Sequence, residues 1–164
     1  MKILTLIRHG KSSWGDTSLS DWERPLNKRG KKDSVLIGSE LFNKGIIPDQ
    51  IVSSSAKRAY GTAKRIAKCV KYPESEIIIT DNIYSSGFQP LIEIIRNLND
   101  DWEHVFLFGH NPYFTSIANH FGKTNVTNLP TAGVFQISFI CKKWSDVSKD
   151  NSTNILFLTP RMLK

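Results

Sequence analysis

The sequence predicts an α/β fold, a three-layer sandwich around a mostly parallel central sheet with an antiparallel edge. Three observations carry that reading. Short runs rich in β-branched residues alternate with longer stretches of helical period, in the order β-α-β-α-β-α-β-α-β-β. The runs at residues 3–7 and 105–108 are apolar at almost every position, the pattern of strands covered on both faces. The chain then closes with two β segments joined only by a polar connection, which makes them an antiparallel pair.

Taken in order, residues 3–7 form the first strand, which stops at Arg8-His9-Gly10. A polar loop, 11–25, follows; it is long for a connection and has the length of a functional lid. Asn27 caps a helix over 28–43 with a stripe of Val35, Leu36, Ser39 and Phe42, and Gly45 ends it. Residues 50–53 are the second strand. Ser53-Ser54-Ser55 leads into and caps a helix from 56 to 70, stopped by Tyr72-Pro73. Residues 76–80 read as the third strand and 81–87 as a loop. A third helix spans 89–98, with Leu91, Ile94, Ile95 and Leu98 on one side. The fourth strand, 105–108, ends in Gly109-His110-Asn111-Pro112, and a helix runs from Pro112 or Tyr113 to His120. Segments 134–141 and 154–158 are the closing β pair, with 142–152 as the hairpin connection.

No repeat or linker interrupts this order, so residues 1–164 are read as one domain, long enough to bury roughly 70% of its unfolded surface. No apolar run approaches the ~18 residues of a membrane span. The N-terminal apolar run is too short for a signal peptide and leads straight into Arg8-His9, so a cytoplasmic protein is expected. Cys69 and Cys141 form no disulfide framework and are read as core thiols; four scattered histidines have no metal-ligand spacing. Neither a metal nor a cofactor is expected, and a monomer is the default. The net charge of +7 is uneven: residues 1–70 carry +8 and residues 71–164 carry −1. The excess favours an anionic ligand, whether phosphate, nucleic acid or an acidic protein. Without an aromatic-interleaved basic stripe, nucleic acid is not expected. Lys28, Arg29, Lys31 and Lys32 read as a solvated helix face.

Two strands end alike, in Arg8-His9-Gly10 and in Gly109-His110-Asn111. If they are parallel neighbours, both imidazoles project over one sheet edge, where open α/β sheets bind ligands. Arg58 stands at the first turn of a helix, whose free N–H groups and dipole favour an anion. Arg8 and Arg58 match phosphate with their planar forks, and His9 is a candidate nucleophile. The plainer alternatives are an exposed helix arginine at 58 and a capping histidine at 110.

Over nearly its whole length the sequence resembles the histidine phosphatase (phosphoglycerate-mutase-like) superfamily. The landmarks are Arg8-His9-Gly10, the segment from Ser53-Ser54-Ser55-Ala56-Lys57-Arg58 through Ala63, and Gly109-His110-Asn111-Pro112. Within the superfamily the chain is most similar to the short phosphohistidine phosphatases of the SixA type, through Arg24-Pro25-Leu26, Gly109-His110-Asn111-Pro112 and Leu129-Pro130-Thr131-Ala132-Gly133. The resemblance implies that His9 attacks phosphorus and carries the phosphoryl group, while Arg8, Arg58 and His110 hold its oxygens. Ser12 and Asn111 are further candidate substrate contacts. The Gly10 carbonyl is the expected partner for the second nitrogen of His9.

One departure is informative. Phosphomonoesterases and mutases of the superfamily usually carry a glutamate general acid in the loop after the third strand, where this chain has Tyr84 or Ser85. An alkoxide is a very basic leaving group (water, for comparison, has a pKa of ~15.7), whereas imidazole, at ~6.5, leaves with little help. The missing acid therefore suits a phosphohistidine substrate on a protein. Asp16, Asp21, Glu23 and Asp81 are carboxylates that would supply an acid in its place. The rivals are a small-molecule phosphomonoesterase with such a loop-supplied acid, and a non-catalytic module that binds a phosphorylated protein.

Overall fold

The computed structural model describes residues 1–85 and 87–164; Ser86, within the predicted 81–87 loop, lies outside the described residues. The strands are β1 (Lys2–Arg8), β2 (Gln50–Ser54), β3 (Ile78–Thr80), β4 (His104–Gly109), β5 (Val134–Phe139) and β6 (Ser152–Leu158). They form one six-stranded sheet in the order β3-β2-β4-β1-β5-β6. Pairs β3–β2, β2–β4 and β4–β1 are parallel, and β5 and β6 supply the antiparallel edge.

Alternation along the strands explains the layers. Leu4, Leu6, Val105 and Leu107 face one core, packed beneath α4 (Phe88–Arg96) and α5 (Tyr113–Phe121). Ile7, Ile51, Phe106 and Phe108 face the other, beneath α1 (Lys28–Asn43) and α2 (Lys57–Cys69). Both faces of β1 and β4 are thus covered, as their continuous apolar runs require. No helix among the described residues is long and apolar enough to cross a membrane.

Several expectations are corrected. The buried face of α1 is Gly30, Asp33, Ser34, Ile37, Gly38 and Leu41, while Val35 and Phe42 are exposed. Small residues line it because α2 lies close: a Cβ on Gly38 would meet Cys69 Cβ at 2.8 Å and Ile66 Cα at 3.1 Å. Asn27 does cap α1, accepting from the Gly30 N–H at 2.8 Å, and Gly45 (φ +73°) ends it. Ala56, not a serine, precedes α2, with no side-chain cap. Strand β3 begins at Ile78, after a single 3-10 turn at Glu74–Glu76. The predicted 81–87 loop contains a helical turn, α3 (Asn82–Ser85). The polar 142–152 connection holds a 3-10 turn whose Trp144 is fully buried, its indole N–H donating to the Trp102 carbonyl at 2.9 Å. Cys69 and Cys141 are only partly buried rather than core thiols.

Candidate active site

The parallel register of β1 and β4 pairs Arg8 with Gly109, so the residues following each strand leave the same sheet edge. The His9 N–H donates to the Gly109 carbonyl at 3.0 Å, and the His9 and His110 rings lie 5.2 Å apart. Strand β2 flanks β4, and the first turn of α2 brings Arg58 over the same edge. Gly10 is needed there for space: a Cβ would meet the Gly30 carbonyl oxygen at 2.8 Å, where α1 crosses the strand end.

His9 is buried, and its Nδ1 lies 2.7 Å from the Gly10 carbonyl oxygen, as the sequence leads one to expect. A carbonyl only accepts, so the proton resides on Nδ1 and the lone pair on Nε2. Burial, helped by the neighbouring His110, Arg58 and Arg8 charges, lowers the His9 pKa to about 3, against the opposing pull of the Gly10 carbonyl. The ring is neutral, with Nε2 facing Arg58 Nε at 3.4 Å.

The other members are incompletely satisfied. Arg8 Nη1 donates to the Leu129 carbonyl at 3.0 Å, but its Nε is buried without a partner. His110 Nε2 lies 2.7 Å from Ser54 Oγ, while its Nδ1 is likewise buried and unpartnered. Burial, then the Arg58 charge, lowers the His110 pKa to about 4. Buried orphan polar atoms are rare and costly. Arg8 Nε and His110 Nδ1, on the chain neighbour of His9 and on the ring 5.2 Å from it, are two such atoms.

Arg58 is engaged from outside. Its Nη1 donates to the Asp21 carbonyl at 2.6 Å and its Nη2 to Asp21 Oδ2 at 2.9 Å. Asp21 also accepts from Tyr84 Oη at 2.7 Å and from Arg24 Nη1 at 2.7 Å. Burial pushes the Asp21 carboxyl upward, but these three donors outweigh it and hold it well below the usual carboxylate range. Burial, and then Asp21, raises the Tyr84 phenol, which keeps its proton.

The structure thus brings Arg8, His9, Arg58 and His110 together. Ser12 is turned aside: its hydroxyl accepts from Arg24 Nη2. Asn111 is tied to the scaffold, its Nδ2 donating to Asn128 Oδ1 and the Leu129 carbonyl and its Oδ1 accepting from Thr115. Of the four candidate acids only Asp21 reaches the cluster. Asp16 holds Ser18, Glu23 closes a capping box with Ser20, and Asp81 accepts from Ser55. Arg24 and Tyr84 at Asp21, and Ser54 at His110, complete the surroundings of the four residues. Their contacts join three separate segments, which spacing alone does not reveal. Among the described residues no group of three or more His, Cys, Asp or Glu is placed to hold a metal ion.

The chain is similar to known proteins in sequence and in fold. The family model described as "Histidine phosphatase superfamily (branch 1)" matches residues 4–84. An uncharacterised chloroplast protein of Arabidopsis thaliana is 27% identical over 151 residues, covering 87% of this chain and 69% of the relative. The solved structure of the protein histidine phosphatase SixA with tungstate superposes with a TM-score of 0.83 at 19% identity, covering 99% of each chain. That of a phosphoserine phosphatase mutant from Entamoeba histolytica, in complex with phosphoserine, covers 100% of each chain with a TM-score of 0.65 at 15% identity.

Proposed function

We propose, for a chain that belongs to the histidine phosphatase superfamily, that its activity is hydrolysis of phosphohistidine on a protein through a covalent intermediate on His9. The observation that carries the substrate choice is the state of Asp21. It is the one candidate acid at the cluster, and three donors keep it an anion. Where esterases and mutases of the superfamily usually carry a glutamate, this chain presents the Tyr84 phenol committed to that carboxylate. The site therefore holds no ready proton for an alkoxide, and a P–N bond needs less help.

In this reading the phosphoryl group sits between His9 Nε2 and the leaving nitrogen. The Nε2 lone pair forms a bond to phosphorus as the bond to the substrate imidazole, protonated on its other ring nitrogen, breaks; the electron pair stays on the leaving nitrogen and a neutral imidazole departs. Water then attacks phosphorus in line and the His9 bond breaks, releasing phosphate. Arg8 Nε and Arg58 Nε donate to the equatorial oxygens. The Ala56 N–H donates to Ser54 Oγ at 3.2 Å. Assigning the Ser54 proton to His110 Nε2 makes His110 Nδ1–H the third donor. We place this activity in the cytoplasm, on a phosphorylated protein, as a metal-independent reaction.

Two measurements test it. Radiolabelled phosphate should be trapped on the wild type and not on His9→Ala; no label on either would overturn the enzyme reading in favour of a binding module. A phosphohistidine peptide should turn over faster than sugar phosphates; the reverse order would make the protein a phosphomonoesterase. Activity should survive EDTA.

A further inference from the structure

We propose that Asp21 is a positioning residue for Arg58, engaging both terminal nitrogens of the guanidinium with its carbonyl and carboxylate so that Nε is the donor turned toward His9. This deepens the reading of His9 as nucleophile and rests on it.

The geometry is specific. Arg58 donates Nη1 to the Asp21 carbonyl at 2.6 Å and Nη2 to Asp21 Oδ2 at 2.9 Å, which leaves Nε 3.4 Å from His9 Nε2. Main chain and side chain of one residue thus fix the guanidinium plane. The Arg58 side chain is only 8% exposed, so it has little room for another rotamer, whereas Asp21 is half exposed. Asp21 is itself braced. Arg24 Nη1 holds Oδ1 at 2.7 Å, and Arg24 Nε donates to the Ser13 carbonyl at 3.1 Å. The Arg24 guanidinium carbon lies 3.3 Å from the Trp14 ring centroid, and its Nη2 donates to Ser12. Tyr84 grips the same Oδ2 that Arg58 uses. The long polar loop is thereby clamped from Ser12 to Arg24, and the clamp terminates on Arg58. The consequence of this contact is orientation, and lysine at 58 would present one point charge, with no separate Nε held toward His9.

The test is a double-mutant cycle with Asp21→Asn, Arg58→Ala and the double variant. It is read as tungstate affinity by calorimetry and as turnover of p-nitrophenyl phosphate, an alkyl phosphate and phosphoimidazole. Asp21→Asn should weaken tungstate binding and slow all three substrates by the same factor, on the order of ten- to a hundred-fold. That factor should vanish in the Arg58→Ala background, and Asp21→Glu should recover part of it. An equal loss with Arg58 already removed would overturn the proposal. So would a loss confined to the alkyl phosphate together with loss of the basic limb of its pH profile, which would make Asp21 the acid. If Asp21→Asn melts early, Asp21→Ser, which also removes the carboxylate, carries the same comparison. Tungstate affinity needs no turnover, so a protein that binds tungstate and hydrolyses nothing would defeat the phosphatase reading while leaving this cycle decisive.

Discussion

Strand β4 carries a histidine at each end, and the two invite comparison. His104 opens the strand and His110 follows its close. Both are half-buried, and that partial burial lowers both to about pKa 4. Their surroundings differ. His104 Nε2 lies 2.8 Å from Thr5 Oγ1 and 3.2 Å from Gln136 Nε2, and Gln136 donates to Thr5 at 2.8 Å. That cluster closes on itself. His110 spends one nitrogen on Ser54 and leaves the other buried and unpartnered, as Arg8 Nε also is. A perturbed histidine is therefore common to a structural and a functional environment. A buried nitrogen left without a partner, next to the proposed nucleophile His9, is what sets His110 apart.

The sharpest way to break this comparison is to remove donors from each end. Arg58→Ala should cost about 3 kcal/mol of transition-state stabilisation, roughly a hundred-fold in kcat, as loss of an oxyanion donor does. Near-normal turnover would remove Arg58 from the site. His104→Ala should leave turnover intact but take the acceptor from the Thr5 hydroxyl, lowering stability by about 1–3 kcal/mol. His110→Ala should show the opposite balance, a loss of activity with a smaller change in melting. If both variants fail in the same assay, the distinction between the two ends is wrong.

Acid should affect both ends alike. His9, at about 3, and His104 and His110, at about 4, bind protons less readily folded than unfolded, where a histidine titrates near ~6.5. Across that window the unfolded chain holds more protons. Stability therefore falls as pH drops below ~6.5, by at most ~1.4 kcal/mol per pH unit for each histidine, and is level above it. Urea unfolding between pH 4.5 and 7.5 reads the slope, and His104→Gln should make it shallower. Because folded His9 stays neutral, kcat should show no step near pH 6.5; a step there would mean the ring is far less buried than the structure has it.

The chemical end of the molecule was more legible in the sequence than the packing around it. Arg8, His9, Arg58 and His110 lie where strand ends and a helix start must put them, and even the Gly10 carbonyl follows from adjacency. Helix α1 was legible in extent and misread in orientation. Hydrophobic periodicity points to Val35 and Phe42, but its inner face is glycine and serine fitted against α2, and close approach leaves no apolar signature. Trp144 was hidden in a polar stretch for a similar reason, since one buried ring needs no periodic neighbours. The Asp21 shell depends on side chains from the loop, α2 and α3 meeting in space, which no spacing rule encodes.

Phosphate linkage is the smallest effect and isolates what distinguishes the two histidines. A ligand that binds only the folded chain stabilises it by about 1.4 kcal/mol at ten times its dissociation constant, or about 3–6 °C for a domain of this size. Inorganic phosphate should produce that shift in the wild type, because Arg8 Nε and His110 Nδ1 gain partners they otherwise lack. The shift should persist in His104→Ala, whose cluster has nothing to offer an anion, and shrink in His110→Ala. Both variants begin from altered melting temperatures, so the increment on adding phosphate is the quantity to compare. An increment lost equally in both would mean that anion binding depends on the integrity of β4 as a whole. An increment lost only in His110→Ala ties it to the unpartnered nitrogen.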